Sequence, residues 1–241
     1  MSLTYSKIIY NIKPDTMNSL RIFAVIAAFN EEKTIAAVLS DLEKYVDEII
    51  VVDDGSSDKT STLVKGAKVT LLRHLSNLGQ GAALQTGFEY AKKQRANIVI
   101  TYDADGQFKA SDISKLVKPI LQKKADIVLG SRFLGHAVNI SLTRLITLKL
   151  GIIFTFIFSG LKLTDTYNGL RAFNNKALHK INITQNRLAH ASEILDQIKA
   201  KKLKYIEIPV TVIYTDYSKQ KGEKNLNALK VFVDLVTRKL Y

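Results

Sequence analysis

Residues 98–107 read Ile98-Val99-Ile100-Thr101-Tyr102-Asp103-Ala104-Asp105-Gly106-Gln107, an uncharged, β-branched run that ends in two carboxylates one residue apart. A run of this kind, without period-two alternation, suits a strand buried on both faces of a parallel sheet. In open α/β sheets ligands bind outside the carboxyl ends of such strands, where this acid pair falls. Two carboxylates so close repel each other unless a cation relieves them. A hard ion such as Mg2+ or Mn2+ does so and shares its shell with phosphate oxygens, so Asp103 and Asp105 are candidate metal ligands. The Gln107 amide oxygen is a third candidate. A lone Asp-x-Asp is more often a solvated turn; here a central-strand pattern precedes it and similar signals lie upstream.

Those signals begin at Arg21 to Phe29, a first buried strand, followed by Asn30 as N-cap of a helix through Leu39. Glu48 to Val52 is a second strand, ending in Asp53-Asp54-Gly55-Ser56-Ser57-Asp58, where Ser57 or Asp58 can cap the next helix. Val69 to Leu72 is a weaker third strand. Asn77-Leu78-Gly79-Gln80-Gly81 then opens a helix to Lys93, and its glycine spacing departs from the dinucleotide G-x-G-x-x-G, which argues against a dehydrogenase. Beyond the acid pair, a helix over 111–122 and a strand over 126–130 lead into Ser131-Arg132-Phe133, a guanidinium at the same sheet edge.

Composition narrows the partners. The 241 residues carry a formal net charge of +13 and no Cys, so disulfide and thiolate chemistry is excluded and the partner is polyanionic: a phosphorylated substrate, an anionic bilayer or nucleic acid. The carboxylate-tipped strands disfavour nucleic acid. Four His lack H-x-x-x-H spacing, which gives zinc no seat, and no signal-peptide core opens the chain. Residues 150–161 (LGIIFTFIFSGL) carry no charge and are flanked by Arg144, Lys149 and Lys162. This run is shorter than the ~20 apolar residues of a membrane span. A helix lying in the bilayer interface and a buried core helix remain two open readings of it. Tyr205 to Tyr214 reads as an edge or bulged strand because of Pro209, and 225–240 as an amphipathic helix.

The motifs Ala28-Phe29-Asn30-Glu31, Val52-Asp53-Asp54-Gly55-Ser56, Asn77 to Gly81, Asp103 to Gln107, Gly130-Ser131-Arg132-Phe133 and Asp165 to Arg171 occur in one order. In that order they resemble family 2 glycosyltransferases with the GT-A fold, and among them the dolichyl- or polyprenyl-phosphate sugar synthases. The resemblance implies an α/β, mostly parallel sheet flanked by helices. It implies a catalytic domain over 21–224 with an interface helix at 144–162, while the polar residues 1–20 read as an extension and 225–241 as a C-terminal amphipathic helix from the sequence itself. The implied donor is a nucleotide sugar held by Ala27, Phe29, Glu31, Val52, Asp54, Asp103 and Ala104, with Lys221 and Lys224 on a basic lid. Mg2+ or Mn2+ would sit on Asp103, Asp105 and Gln107, and Arg132 would contact the donor phosphates or sugar. Arg144 and Arg171 would receive the phosphate of a lipid acceptor. Catalysis would rest on Asp105 and Arg132, with Glu193 as base should the acceptor be a saccharide hydroxyl. The expected setting is peripheral, on the cytoplasmic face of an anionic membrane, with a small membrane protein or a second copy as a further partner. A non-catalytic basic module on the same fold is the competing class.

Overall fold

The computed structural model describes residues 20–218 apart from Leu188. The extension, Lys221, Lys224 and the 225–241 helix of the sequence reading lie outside the described residues. In chain order the elements are β1 (Ile22–Ala28), α1 (Ile35–Leu42), β2 (Glu48–Asp53), α2 (Thr60–Lys65), β3 (Thr70–Arg73), α3 (Gln80–Lys93) and β4 (Ile98–Asp103). They continue with α4 (Ile113–Leu121), β5 (Ile127–Val138), α5 (Leu142–Ser159), β6 (Arg171–Asn174), α6 (Asn175–Lys180), α7 (His190–Ala200) and β7 (Tyr205–Ile213). Among the described residues, seven strands form one sheet in the order β3-β2-β1-β4-β6-β5-β7. All neighbours pair in parallel except β6, which runs antiparallel to both β4 and β5.

The central strands are apolar throughout because each face of the sheet meets its own layer. Ile22, Ala24 and Ile26 of β1 join Val38, Leu42, Leu116 and Ile120 of α1 and α4 in one core. Phe23 and Val25, on the alternate face, join Leu84 and Phe88 of α3 and Ile194, Leu195 and Ile198 of α7 in the other. A strand covered on both sides has no reason to alternate polar and apolar residues.

Several boundaries differ from the sequence reading. Strand β5 does not stop at Gly130: it carries Ser131, Arg132 and Phe133 within its twelve residues and is irregular against β7 between Ser131 and His136. Asn30 is no helix cap; it sits at φ +53, and the N-cap of α1 is Thr34. The N-cap of α2 is Lys59, not Ser57 or Asp58, although Asp58, one residue before it, accepts from the Thr60 backbone N–H at 2.9 Å. Pro209 lies in β7, an edge strand of the sheet, where a missing N–H is tolerated. Strand β6 and helix α6 are short and polar in part, so no sequence period announces them.

Helix α5 resolves the two readings of the apolar run. It spans eighteen residues, so length by itself no longer bars it from a membrane. Its apolar surface is split lengthwise. Leu148, Gly151, Phe154, Thr155 and Ser159 face the protein, whereas Leu142, Ile146, Leu150, Ile153 and Ile157 stand exposed on one stripe at helical spacing. Gly151 permits the protein-side contact, since a Cβ there would lie 2.4 Å from the Tyr167 ring. The helix is half a core helix and half an uncovered one.

Candidate active site

The sheet order changes direction between β1 and β4, because the chain builds β2 and β3 on one side of β1 and β4 on the other. Register places Ala27 beside both Val52 and Asp103, and Ala28 beside Asp53, so the motifs meet in one row at the strands' carboxyl ends. This is the crevice in which doubly wound sheets take ligands. Val52 and Ala104 are both buried and belong to the two cores, so their part in the site is to support the row from within the protein. Phe29, just past β1, keeps an exposed ring.

Asp103 ends β4, and its Oδ1 accepts from Gln80 Nε2 at 3.0 Å. Enclosure by the protein and the neighbouring charge of Asp105 push the Asp103 carboxyl well above the usual carboxylate range, against the pull of Arg171 and Arg132. Asp105 accepts from the Gln107 backbone N–H at 3.0 Å and from Gln107 Nε2 at 2.8 Å. Gln107 thus presents its amide N–H to Asp105 and orients it. Among the described residues no group of three acidic or His side chains converges. Two strained, adjacent carboxylates fit a hard divalent cation whose remaining positions are filled by water and phosphate oxygens.

The first two loops are stitched together beside this pair. Asn30 N–H donates to Ser56 Oγ at 2.9 Å, Ser57 N–H to Asn30 Oδ1 at 2.9 Å, and Glu31 N–H to Thr60 Oγ1 at 2.8 Å. Tyr217, after β7, crosses back and donates to Glu31 Oε2 at 3.0 Å, while Lys33 lies over its ring. The Tyr217 phenol is pushed up by burial and by Glu31. Asp54, expected on the nucleoside, is buried and turned inward. It accepts from Leu78 N–H at 3.0 Å, from Gly79 N–H at 2.7 Å and from His74 Nδ1 at 2.6 Å. The glycines that follow serve close approach: a Cβ on Gly81 would lie 1.9 Å from the Gln185 carbonyl oxygen, and Gly81 N–H donates to the Asn186 carbonyl at 2.8 Å.

The three arginines differ in how much of each the protein itself engages. Arg132 is buried; its Nε donates to Asp165 Oδ2 at 2.6 Å and its Nη1 to the Tyr214 hydroxyl. Burial works against the guanidinium charge, but Asp165 and Tyr214 outweigh it and hold the group above its usual value. Two of its donors are committed to the protein, and its charge reaches the Asp103 carboxylate. Arg171 is likewise buried, donating from Nε to the Asn168 carbonyl at 2.9 Å, and burial pushes it down to about 10 although Asp103 and Asp165 oppose this. Its guanidinium is enclosed by the protein while its charge acts on Asp103. Arg144, in the first turn of α5, differs. It stacks over Tyr214 at 5.2 Å, and its Nε is buried without a hydrogen-bond partner. Glu207 on β7 fixes this side by accepting from Thr164 N–H at 2.8 Å and Asp165 N–H at 3.0 Å.

Glu193 is not a free base. Its carboxylate accepts from Thr184 N–H at 3.0 Å and Gln185 N–H at 2.9 Å, together with the Thr184 hydroxyl, and so clamps the loop that rests on Gly81. Nothing in the local sequence signals that the backbone donors of Thr184 and Gln185 reach Glu193. Gln80, His74, Tyr214 and Glu207 were missed for the same reason, as their roles come from contacts across the fold.

A carboxylate pair at the switch point of a mostly parallel sheet defines the GT-A fold of nucleotide-sugar transferases. Residues 23–181 match glycosyl transferase family 2. An uncharacterized protein of Methanocaldococcus jannaschii is 38% identical over 237 residues, 96% of this chain and 97% of its own length. The UDP-N-acetylglucosamine–dolichyl-phosphate N-acetylglucosaminyltransferase of Methanococcus voltae is 35% identical over 242 residues, 91% of this chain and 96% of its own. Glucosyl-3-phosphoglycerate synthase of Mycobacterium tuberculosis, solved with Mn2+, UDP and phosphoglyceric acid, superposes with a TM-score of 0.71 over 92% of this chain and 79% of that one. At 17% identity that likeness carries the fold alone. The chain belongs to glycosyltransferase family 2 and is a glycosyltransferase of the polyprenyl-phosphate sugar synthase-like group.

Proposed function

We propose that this protein transfers a sugar, with inversion, from a nucleotide-diphosphate donor to a polyprenyl phosphate at the cytoplasmic surface of a membrane, in cell-surface glycan synthesis. The observation that carries the reading is α5: an exposed apolar stripe whose first turn bears Arg144, stacked on the Tyr214 that accepts from Arg132. A lipid tail suits the stripe, and an acceptor phosphate suits a guanidinium with an unpartnered buried Nε.

On the donor side Asp103 and Asp105 would hold Mg2+ or Mn2+, which when bound supplies charge neutralisation to the leaving diphosphate. Gln80 and Gln107 fix the two carboxylates from the protein side. Phe29, at the exposed end of β1, and Glu31, steadied by Tyr217, are placed for the nucleoside. Arg132 and Arg171 set a positive field under the carboxylates. A phosphate acceptor is already ionised near neutral pH, so it attacks the anomeric carbon without a general base. The hydroxyl-acceptor alternative relied on Glu193, whose carboxylate is engaged by the 184–185 loop.

The test is transfer from radiolabelled UDP- and GDP-sugars, with Mn2+, to a short polyprenyl phosphate in detergent or to soluble saccharides. Label passing into the organic phase is the expected result. Transfer confined to a soluble hydroxyl would overturn the lipid reading, and loss of all transfer without Mn2+ or Mg2+ is expected for the metal.

A further inference from the structure

His74 stands twenty residues from Asp54 in sequence, yet its Nδ1 lies 2.6 Å from Asp54 Oδ1 and its Nε2 lies 2.9 Å from the Thr86 hydroxyl. The residue leaves β3, whose end is itself tied to β2 by His74 N–H donating to the Asp53 carbonyl at 2.9 Å. Asp54, at the end of β2, passes the constraint on by accepting from Leu78 and Gly79 N–H. The next residue, Gln80, opens α3 and donates to Asp103 at 3.0 Å. Three strand ends and one helix start are thereby linked through buried or half-buried hydrogen bonds that terminate on a carboxylate of the active site.

From this chain of contacts we propose that His74 is a positioning residue for glycosyl transfer: through Asp54 and the 77–79 loop it sets where Gln80 holds Asp103. The proposal rests on Asp103 serving the donor diphosphate. Asp54 is almost wholly buried, so removing the imidazole leaves a carboxylate short of a donor and frees the loop it anchors. A carboxylate misplaced by about 1 Å at a reacting centre costs on the order of 10²-fold in rate. Gln80 contributes through the same path, and the two residues are therefore coupled.

The experiment is a double-mutant cycle on kcat/KM for the donor, with UDP- and GDP-sugars assayed beside the melting temperature. His74→Ala and Gln80→Ala should each lower kcat/KM by about tenfold or more, and the double variant should be no worse than the poorer single. His74→Asn should recover most of the loss, because its Nδ2 donates to Asp54 where Nδ1 did. Should His74→Ala not fold, His74→Gln takes its place in the cycle, as it keeps the volume but offers Asp54 no donor at the Nδ1 position. Losses that multiply, or a His74→Asn variant as poor as His74→Ala, would overturn the proposal and leave His74 a purely structural residue. No donor turnover by the wild type would instead refute the donor site itself, and the proposal with it.

Discussion

The uncovered stripe of α5 gives a sharp test of membrane attachment. Ile153 and Ile157 are 55% and 67% exposed and one helical turn apart. Fully burying an Ile is worth roughly 1.5–3 kcal/mol, so the exposed share of each represents about 1–2 kcal/mol still to be gained from lipid. Replacing both with Ser removes about 2–4 kcal/mol of bilayer affinity, between roughly 30-fold and several hundredfold in partitioning. Folding stability should barely change, since exposed substitutions usually cost within about 0.5 kcal/mol. Phe154→Ser is the contrasting variant: Phe154 is 6% exposed on the protein side and stacks with Phe158 at 4.3 Å. It should lose about 3–5 kcal/mol of stability, in line with emptying a buried Phe site. The assay is co-sedimentation with phosphatidylglycerol-rich liposomes at low salt, with thermal melts on the same preparations. The reasoning fails if Ile153→Ser/Ile157→Ser sediments like wild type, or if that variant melts as early as Phe154→Ser.

Three further outcomes follow from the site. Asp105→Asn keeps shape but not charge, and turnover with Mg2+ or Mn2+ should fall by about 10² or more with the melting temperature little moved; near-normal turnover would remove Asp105 from the reaction. Glu193→Gln should cost about 1–2 kcal/mol of stability by weakening the loop clamp and slow turnover less than tenfold; a loss of ~10² in kcat with unchanged stability would reinstate it as a base. His190, buried beside Arg171, has its imidazole pushed down to about 4 from 6.5, so the unfolded chain binds its proton first. Its contribution is complete above pH 6.5 and is lost as pH falls from 6.5 to 4; urea titrations of His190→Asn should lack that part of the decline, and a slope identical to wild type would refute it.

The sequence determined the catalytic frame because its signals are local. Apolar runs tipped with Asp53-Asp54 and Asp103-x-Asp105 announce strands of a doubly wound sheet, and strand ends in such a sheet converge whatever the helices between them do. The sequence alone did not determine which polar groups face a ligand. Asp54 and Glu193 look like site carboxylates in the linear order, yet both satisfy backbone N–H groups brought to them by loops elsewhere in the chain. Arg132 and Arg171 look like phosphate grips, yet both are buried: Arg132 donates to Asp165 and Tyr214, and Arg171 to the carbonyls of the 166–168 loop. Hydropathy found α5 but not its two faces, because both stripes are apolar and only the packing of Gly151 on Tyr167 decides which one the protein covers. Periodicity records what a residue prefers to be near; a buried donor or acceptor is settled by whichever partner the tertiary fold delivers within about 3 Å.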